Sequence, residues 1–315
     1  MLNRRRFLAA SLANVTALSF SQNFASAAEF FAGSTPTGSA GGKPLLIDSH
    51  VHVWKRDPAY PFAAGRKPPT EDATAEMLLD LMKANGVART VLIQMIHYKW
   101  DNSYLADVLK RYPQYFLGVC RVNPEDPAAP DTLSKLVQEQ RFRGVRISPY
   151  ASAEYDWIKG PLMPPLWQRC NELKTPMTVL TEAPRLPEIV PLIEKNPELT
   201  VVIDHMADIR PDRPDQLQWL LDLARYPKVF IKISHLWSIS KQLYPYADSM
   251  DQVKRICDAF GPKRLMWGTD WPVSLPHLPY AKTVELFRDH LSFLSLEDRE
   301  QVLGKTVQEV WPFGL

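Results

Sequence analysis

Cysteine is scarce in this chain of 315 residues: Cys120, Cys170 and Cys257 lie far apart and form no CxxC pair. An odd, scattered set excludes a full disulfide framework, and free cysteines of this kind behave as small buried hydrophobes. No glycine-rich GxGxxG follows any apolar run, which removes the usual support for a dinucleotide-binding fold. Basic charge is scarce too once the first residues are set aside. The formal charge is +2, and residues 1–27 contain Arg4, Arg5 and Arg6 with no acid, so removing them leaves about −1. That balance provides no basic stripe for nucleic acid. Past residue 27, no apolar run is long enough to span a bilayer.

The N-terminus itself reads as a targeting segment. NRRRFLA at 3–9 is followed by a weakly apolar stretch to Phe24 and then by Ala25, Ser26 and Ala27, the pattern of a twin-arginine export signal cleaved after Ala27. Asn14, Thr16, Ser19, Ser21, Gln22 and Asn23 interrupt the stretch and make it a poor membrane span. The expected location is therefore the periplasm or another exported compartment. Residues 28–43, with Gly33, Pro36, Gly38, Gly41 and Gly42, have the composition of a flexible linker. Both segments are expected to be disordered, with the folded domain over residues 44–315.

Eight short apolar runs follow: LLIDSHVHV, TVLIQMI, FLGVCRV, FRGVRIS, PMTVLTE, TVVIDHM, VFIKISH and LMWGTDW, starting near residues 45, 90, 116, 142, 176, 200, 229 and 265. Helical patterns separate them. Met77, Leu78, Leu81 and Met82 recur at helical spacing before Asn85-Gly86, Leu105, Val108 and Leu109 do so before Pro113, and Leu217, Leu220 and Leu221 before Pro227. Near-continuous apolar strands joined by helical crossovers indicate a parallel sheet covered on its outer face. Eight such units predict an α/β fold closed as a single (β/α)8 TIM barrel.

In IDSHVHVW, His50 and His52 fall on one face of a strand, about 7 Å apart at Cα, so both imidazoles can reach one divalent ion. Strand C-terminal ends of such a barrel meet at one mouth. The runs bring there Gln94 and His97, Arg121, Arg146, Glu182, His205, His235 and Asp270, so that five of the seven histidines sit at or just past strand ends. Alone, His205 is more often a satisfied core histidine and Asp270 in GTDWP a cap or turn residue. Together His50, His52, His205 and Asp270 offer three neutral nitrogens and a carboxylate, a donor set for zinc or a similar ion. Arg121 and Arg146 suit a bidentate grip on a carboxylate, although an ion pair closing the barrel end would use the same residues. Gln94, His97, Glu182, His235 and Trp237 complete the expected substrate-binding set, with Trp100 and Trp237 offering flat faces for a sugar or planar ring. Trp267 and Phe287 are expected in the core.

The HxH of the first run, the DHMA of the sixth and the GTDWP of the eighth resemble the amidohydrolase superfamily in its amidohydrolase-related (amidohydrolase-2) branch. Within that branch the chain is similar to the group of sugar lactonases and 2-pyrone-4,6-dicarboxylate lactonase, over roughly residues 45–315. The resemblance implies that His50 and His52 are the metal-site pair, His205 the sixth-strand histidine, and Asp270 the aspartate that takes a proton from the attacking water. It implies one divalent cation, zinc first, although some lactonases of the group share this pattern and work without metal. Arg146 and Ser148 stand where two-metal members carry a bridging lysine or glutamate, and Thr181 and Glu182 stand where decarboxylase relatives usually carry a histidine. The expected activity is opening of a small lactone or cyclic ester by directly attacking water. A metal-dependent decarboxylase of an unsaturated or aromatic acid, and a binding barrel without turnover, are the alternatives. The expected partner is a small lactone or carboxylate, with a homo-oligomer left open.

Overall fold

A computed structural model of the chain describes residues 45–65, 67–149 and 157–313. The segments expected to be an export signal (1–27) and a linker (28–43) lie outside the described residues.

Each of the eight apolar runs becomes a strand: β1 (Leu46–Val51), β2 (Val87–Ile93), β3 (Phe116–Cys120), β4 (Phe142–Ile147), β5 (Met177–Val179), β6 (Val201–Ile203), β7 (Val229–Ile233) and β8 (Leu265–Trp267). They form one sheet in sequence order, every neighbouring pair parallel. The sheet curls until its ends meet, where Val51 bridges Trp271. There the Asp270 amide donates to the His50 carbonyl and the His52 amide to the Trp271 carbonyl, both at 2.8 Å. The expected (β/α)8 barrel is the observed fold. β2 begins three residues earlier than its apolar run, because Ala88 and Arg89 face outward and mask the buried Val87.

The helices begin and stop for local reasons. Helix Ala75–Asn85 is capped by the Thr74 hydroxyl, which accepts from the Met77 amide, and ends at Gly86 with φ 70°, a left-handed position that glycine fills without strain. Its Ala75, Leu78 and Met82 face inward, and each large apolar side chain so buried contributes about 1.5–3 kcal/mol. Trp267 and Phe287 are fully buried in this outer core, their rings 6.0 Å apart.

A second apolar cluster fills the barrel itself. Ile47, Val91, Val119, Val202, Phe230 and Met266, one from each of six strands, pack against Val307, Val310, Trp311 and Phe313 near the C-terminus. This plug closes the N-terminal end of the barrel and leaves the opposite end for polar side chains. Among the described residues, no helix is long and apolar enough to cross a membrane.

Candidate active site and metal centre

Three site residues sit just past the last three strands, where the backbone turns left-handed: His205 (φ 51°), His235 (φ 64°) and Asp270 (φ 54°). Met206, Ala207 and Asp208 continue the same turn at 53°, 54° and 52°. Non-glycine residues in this region each cost of order 1 kcal/mol and persist where surrounding contacts hold them, which happens most at functional sites. Here the turns swing imidazole and carboxylate groups over the barrel mouth instead of along the strands.

The donor atoms converge. His50 Nε2 and His52 Nε2 are 3.3 Å apart, and Asp270 Oδ1 lies 3.5 Å from the first and 3.3 Å from the second. His52 Nδ1 is 2.8 Å from the Ile93 carbonyl, so it carries the proton and leaves a lone pair on Nε2. Asp270 Oδ1 is buried and accepts no hydrogen bond. Two tetrahedral ligands at about 2.1 Å from a zinc ion stand roughly 3.4 Å apart, so this triangle fits one divalent cation. His205 joins two further groupings of matching size, one with His50 and Asp204 and one with His235 and Asp270.

Charge is arranged around the triangle. Asp270 Oδ2 is hydrogen-bonded to His235 Nε2, and His235 Nδ1 is 3.5 Å from Asp208 Oδ1. Burial opposes the charge of His235, but Asp270 and Asp208 outweigh it and push its pKa up to about 9. Burial would likewise raise Asp270, yet the charge and hydrogen bond of His235 hold it well below the usual carboxylate range. His205 stacks on His235 with ring centroids 3.7 Å apart and 7° between planes, and its Nδ1 is 2.7 Å from Ser234 Oγ. Burial, with the neighbouring His235 charge, keeps His205 neutral.

Beneath the triangle is a fully buried ionic group. Asp204 Oδ1 is 3.0 Å from Lys232 Nζ and 3.4 Å from His50 Nδ1, while Asp204 Oδ2 is 2.9 Å from Arg146 Nε. Burial favours neutral Asp204, but Lys232 and Arg146 hold its pKa well below the ordinary value. Burial and the nearby Lys232 lower His50 to about 3. Asp48 fastens β1 to the end of β8, accepting from the Thr269 hydroxyl at 2.6 Å and the Thr269 amide at 3.0 Å.

The sequence profile of the Amidohydrolase family matches residues 47–313. The chain belongs to the amidohydrolase family. The L-fucono-1,5-lactonase of Burkholderia ambifaria is 31% identical over 242 residues, covering 72% of this chain and 80% of that protein. A Pseudomonas putida structure assigned as a 2-pyrone-4,6-dicarboxylic acid hydrolase superposes with a TM-score of 0.75 at 26% identity, over 87% of this chain and 99% of the other. A Burkholderia multivorans amidohydrolase crystallised with bound zinc superposes with a TM-score of 0.69, over 84% and 98%; at 24% identity this is a likeness of fold.

In this amidohydrolase the expected site residues divide. A cavity of about 620 Å³ opens over the triangle, lined by His52, His97, Arg121, Arg146, His205, His235 and Asp270 together with Trp100 and Trp157. His50 lies under its floor with no exposed surface. The Arg121 guanidinium stacks over Trp100 at 5.6 Å. Three expected substrate contacts are not in the lining. Gln94 is buried and donates its amide to the Asp101 carbonyl, which ties down the loop after β2. Glu182 precedes the short helical turn Ala183–Arg185. Trp237 packs outside His235 at 4.7 Å and stacks on His277 at 4.3 Å. Alternation along a strand predicts facing only while the strand continues, and all three follow the last paired residue.

Sequence reasoning passed over Asp204, Lys232, Ser234 and Asp208. A single charged residue within an apolar strand, as in VFIKISH, was the available signal: such a residue stays charged in a barrel interior only with a partner.

Proposed function

We propose that this amidohydrolase opens a small lactone that carries an anionic or hydroxylated group, by addition of water without a covalent intermediate. The observation that carries the reading is Asp270 Oδ1, a buried, ionised oxygen with no hydrogen-bond donor at the floor of a cavity lined by two arginines. Water adds to the lactone carbonyl as Asp270 takes its proton; the ring C–O bond then breaks, and the proton passes to the departing alkoxide to give the hydroxy acid. His235 orients Asp270 through Oδ2 and keeps it ionised. If Ser234 donates to its Nδ1, neutral His205 presents Nε2–H towards the cavity as a donor for the developing oxyanion. His50, His52 and Asp270 would hold a divalent cation, which would supply Lewis-acid polarisation of the carbonyl. Arg121 and Arg146 hold a substrate carboxylate. The lactonase and the pyrone hydrolase among the relatives support this substrate class, and the zinc-bound relative makes zinc the first ion to try. We also read residues 1–27 as a twin-arginine signal and the mature enzyme as exported.

Decarboxylation fits less well. At the end of β5, where that chemistry would use a histidine, Thr181 donates its hydroxyl to the Pro149 carbonyl at 2.7 Å and is fully buried. The test is a panel of sugar 1,5-lactones, unsaturated lactones and pyrones, followed by proton release, with parallel carbon dioxide detection. Hydrolysis of at least one member, lowered about 10²–10⁴-fold in Asp270→Asn, is the expected result. Carbon dioxide release without ring opening, binding without turnover, or an Asp270→Asn variant at wild-type rate would each overturn the reading.

A further inference from the structure

We propose that Lys232 is a positioning residue that keeps the proton of His50 on Nε2 and thereby weakens the divalent-cation site it adjoins. The donors and acceptors around Lys232 fix this tautomer. Lys232 Nζ is fully buried, 3.0 Å from Asp204 Oδ1, 3.2 Å from His50 Nδ1 and 5.3 Å from the ring centre of Trp311. Burial lowers its pKa, while the Asp204 carboxylate beside it and the Trp311 face beneath it favour the ammonium form. An ammonium has donors only. Its contact with His50 therefore requires Nδ1 to accept, and a neutral imidazole that accepts at Nδ1 carries its hydrogen on Nε2.

The consequence runs across the barrel mouth. His50 Nε2–H points to His52 Nε2 at 3.3 Å, whose lone pair is free because His52 Nδ1 donates to Ile93. Lys232, His50, His52 and the Ile93 carbonyl thus form a directional chain in which every donor meets an acceptor. Ligation through His50 Nε2 reverses that chain. The proton must move to Nδ1, where it can donate to Asp204 Oδ1 at 3.4 Å, but there it also confronts the Lys232 ammonium at 3.2 Å. Metal-bound histidines ordinarily donate their second N–H to a carboxylate or carbonyl. Asp204 supplies that carboxylate, and Lys232 opposes its use.

The inference concerns the same pocket as the proposed hydrolase, but its readouts use no lactone, so either can fail alone. Zinc affinity is measured by competition with a chromophoric chelator on protein first stripped by dialysis. Lys232→Met is expected to bind zinc 10–100-fold more tightly than the wild type, and Lys232→Arg, which keeps charge and donors, to stay close to it. In the stripped wild type, ¹⁵N-histidine NMR is expected to show His50 protonated at Nε2. This measurement decides the matter alone if Lys232→Met does not fold. An Nδ1-protonated His50, or a folded Lys232→Met variant with unchanged or weaker zinc affinity, overturns the proposal.

Discussion

Gly268 offers the sharpest perturbation of the site from outside it. It follows β8 and packs against His50, and a Cβ added there would lie 2.7 Å from His50 Cβ, 3.2 Å from His50 N and 3.3 Å from Ser49 Oγ. Carbon atoms rest about 3.5–4.0 Å apart, so His50 or the β8 end must retreat by roughly 1 Å in Gly268→Ala. The neighbour is a backbone-proximal carbon, not a flexible tip. Its carbonyl is already bound to the Asp270 amide, and β1 is paired with β2 on the other side. Overpacking of this kind costs about 1–3 kcal/mol. A shift of roughly 1 Å in a group that defines the site costs about 10²-fold in turnover. Urea unfolding followed by tryptophan fluorescence and initial rates on the best lactone measure the two effects in one preparation. A variant with the wild-type midpoint and rate would refute the claim that Gly268 is kept small to seat His50.

Other expectations are as direct. Arg121→Met should raise KM for carboxylated lactones about 10–100-fold with kcat little changed, and leave neutral lactones unaffected; equal losses on both classes would remove its role in substrate recognition. Gly304→Ala places a Cβ 2.2 Å from the Leu45 carbonyl oxygen, so thermal denaturation should show the variant destabilised at the start of β1. At Glu76, burial raises the pKa, but hydrogen bonds from Tyr112 and Arg111 outweigh it and lower the value from 4.5 to about 2. A group depressed in this way stabilises the fold above its unfolded pKa and loses that contribution as pH falls through the folded one. The stability gap between wild type and Glu76→Gln should therefore be full above pH 4.5 and close towards pH 2. A constant gap across that range in denaturant titrations would contradict the assignment.

The barrel was legible because its strands are buried on both faces and so appear as apolar runs, and because Thr74, Gly86 and the prolines mark helix ends in local sequence. His52, His205 and Asp270 were legible because each falls near the end of such a run, and the structure brings them to one cavity. Lys232 and Asp204 were not, since each looks like an isolated polar residue until β1, β4, β6 and β7 converge to supply partners far apart in the chain. The facing of Gln94, Glu182 and Trp237 depends on backbone turns past the strands. The left-handed run at 205–208 left no trace at all, because it contains no glycine.

That run has a bearing on engineering. Positions 205–208, 235 and 270 are places where glycine or asparagine would relieve the chain, so a library screened only for heat resistance would drift towards them. Three of the six are His205, His235 and Asp270, which means that the easiest gains in robustness would erode the very groups a substrate must meet.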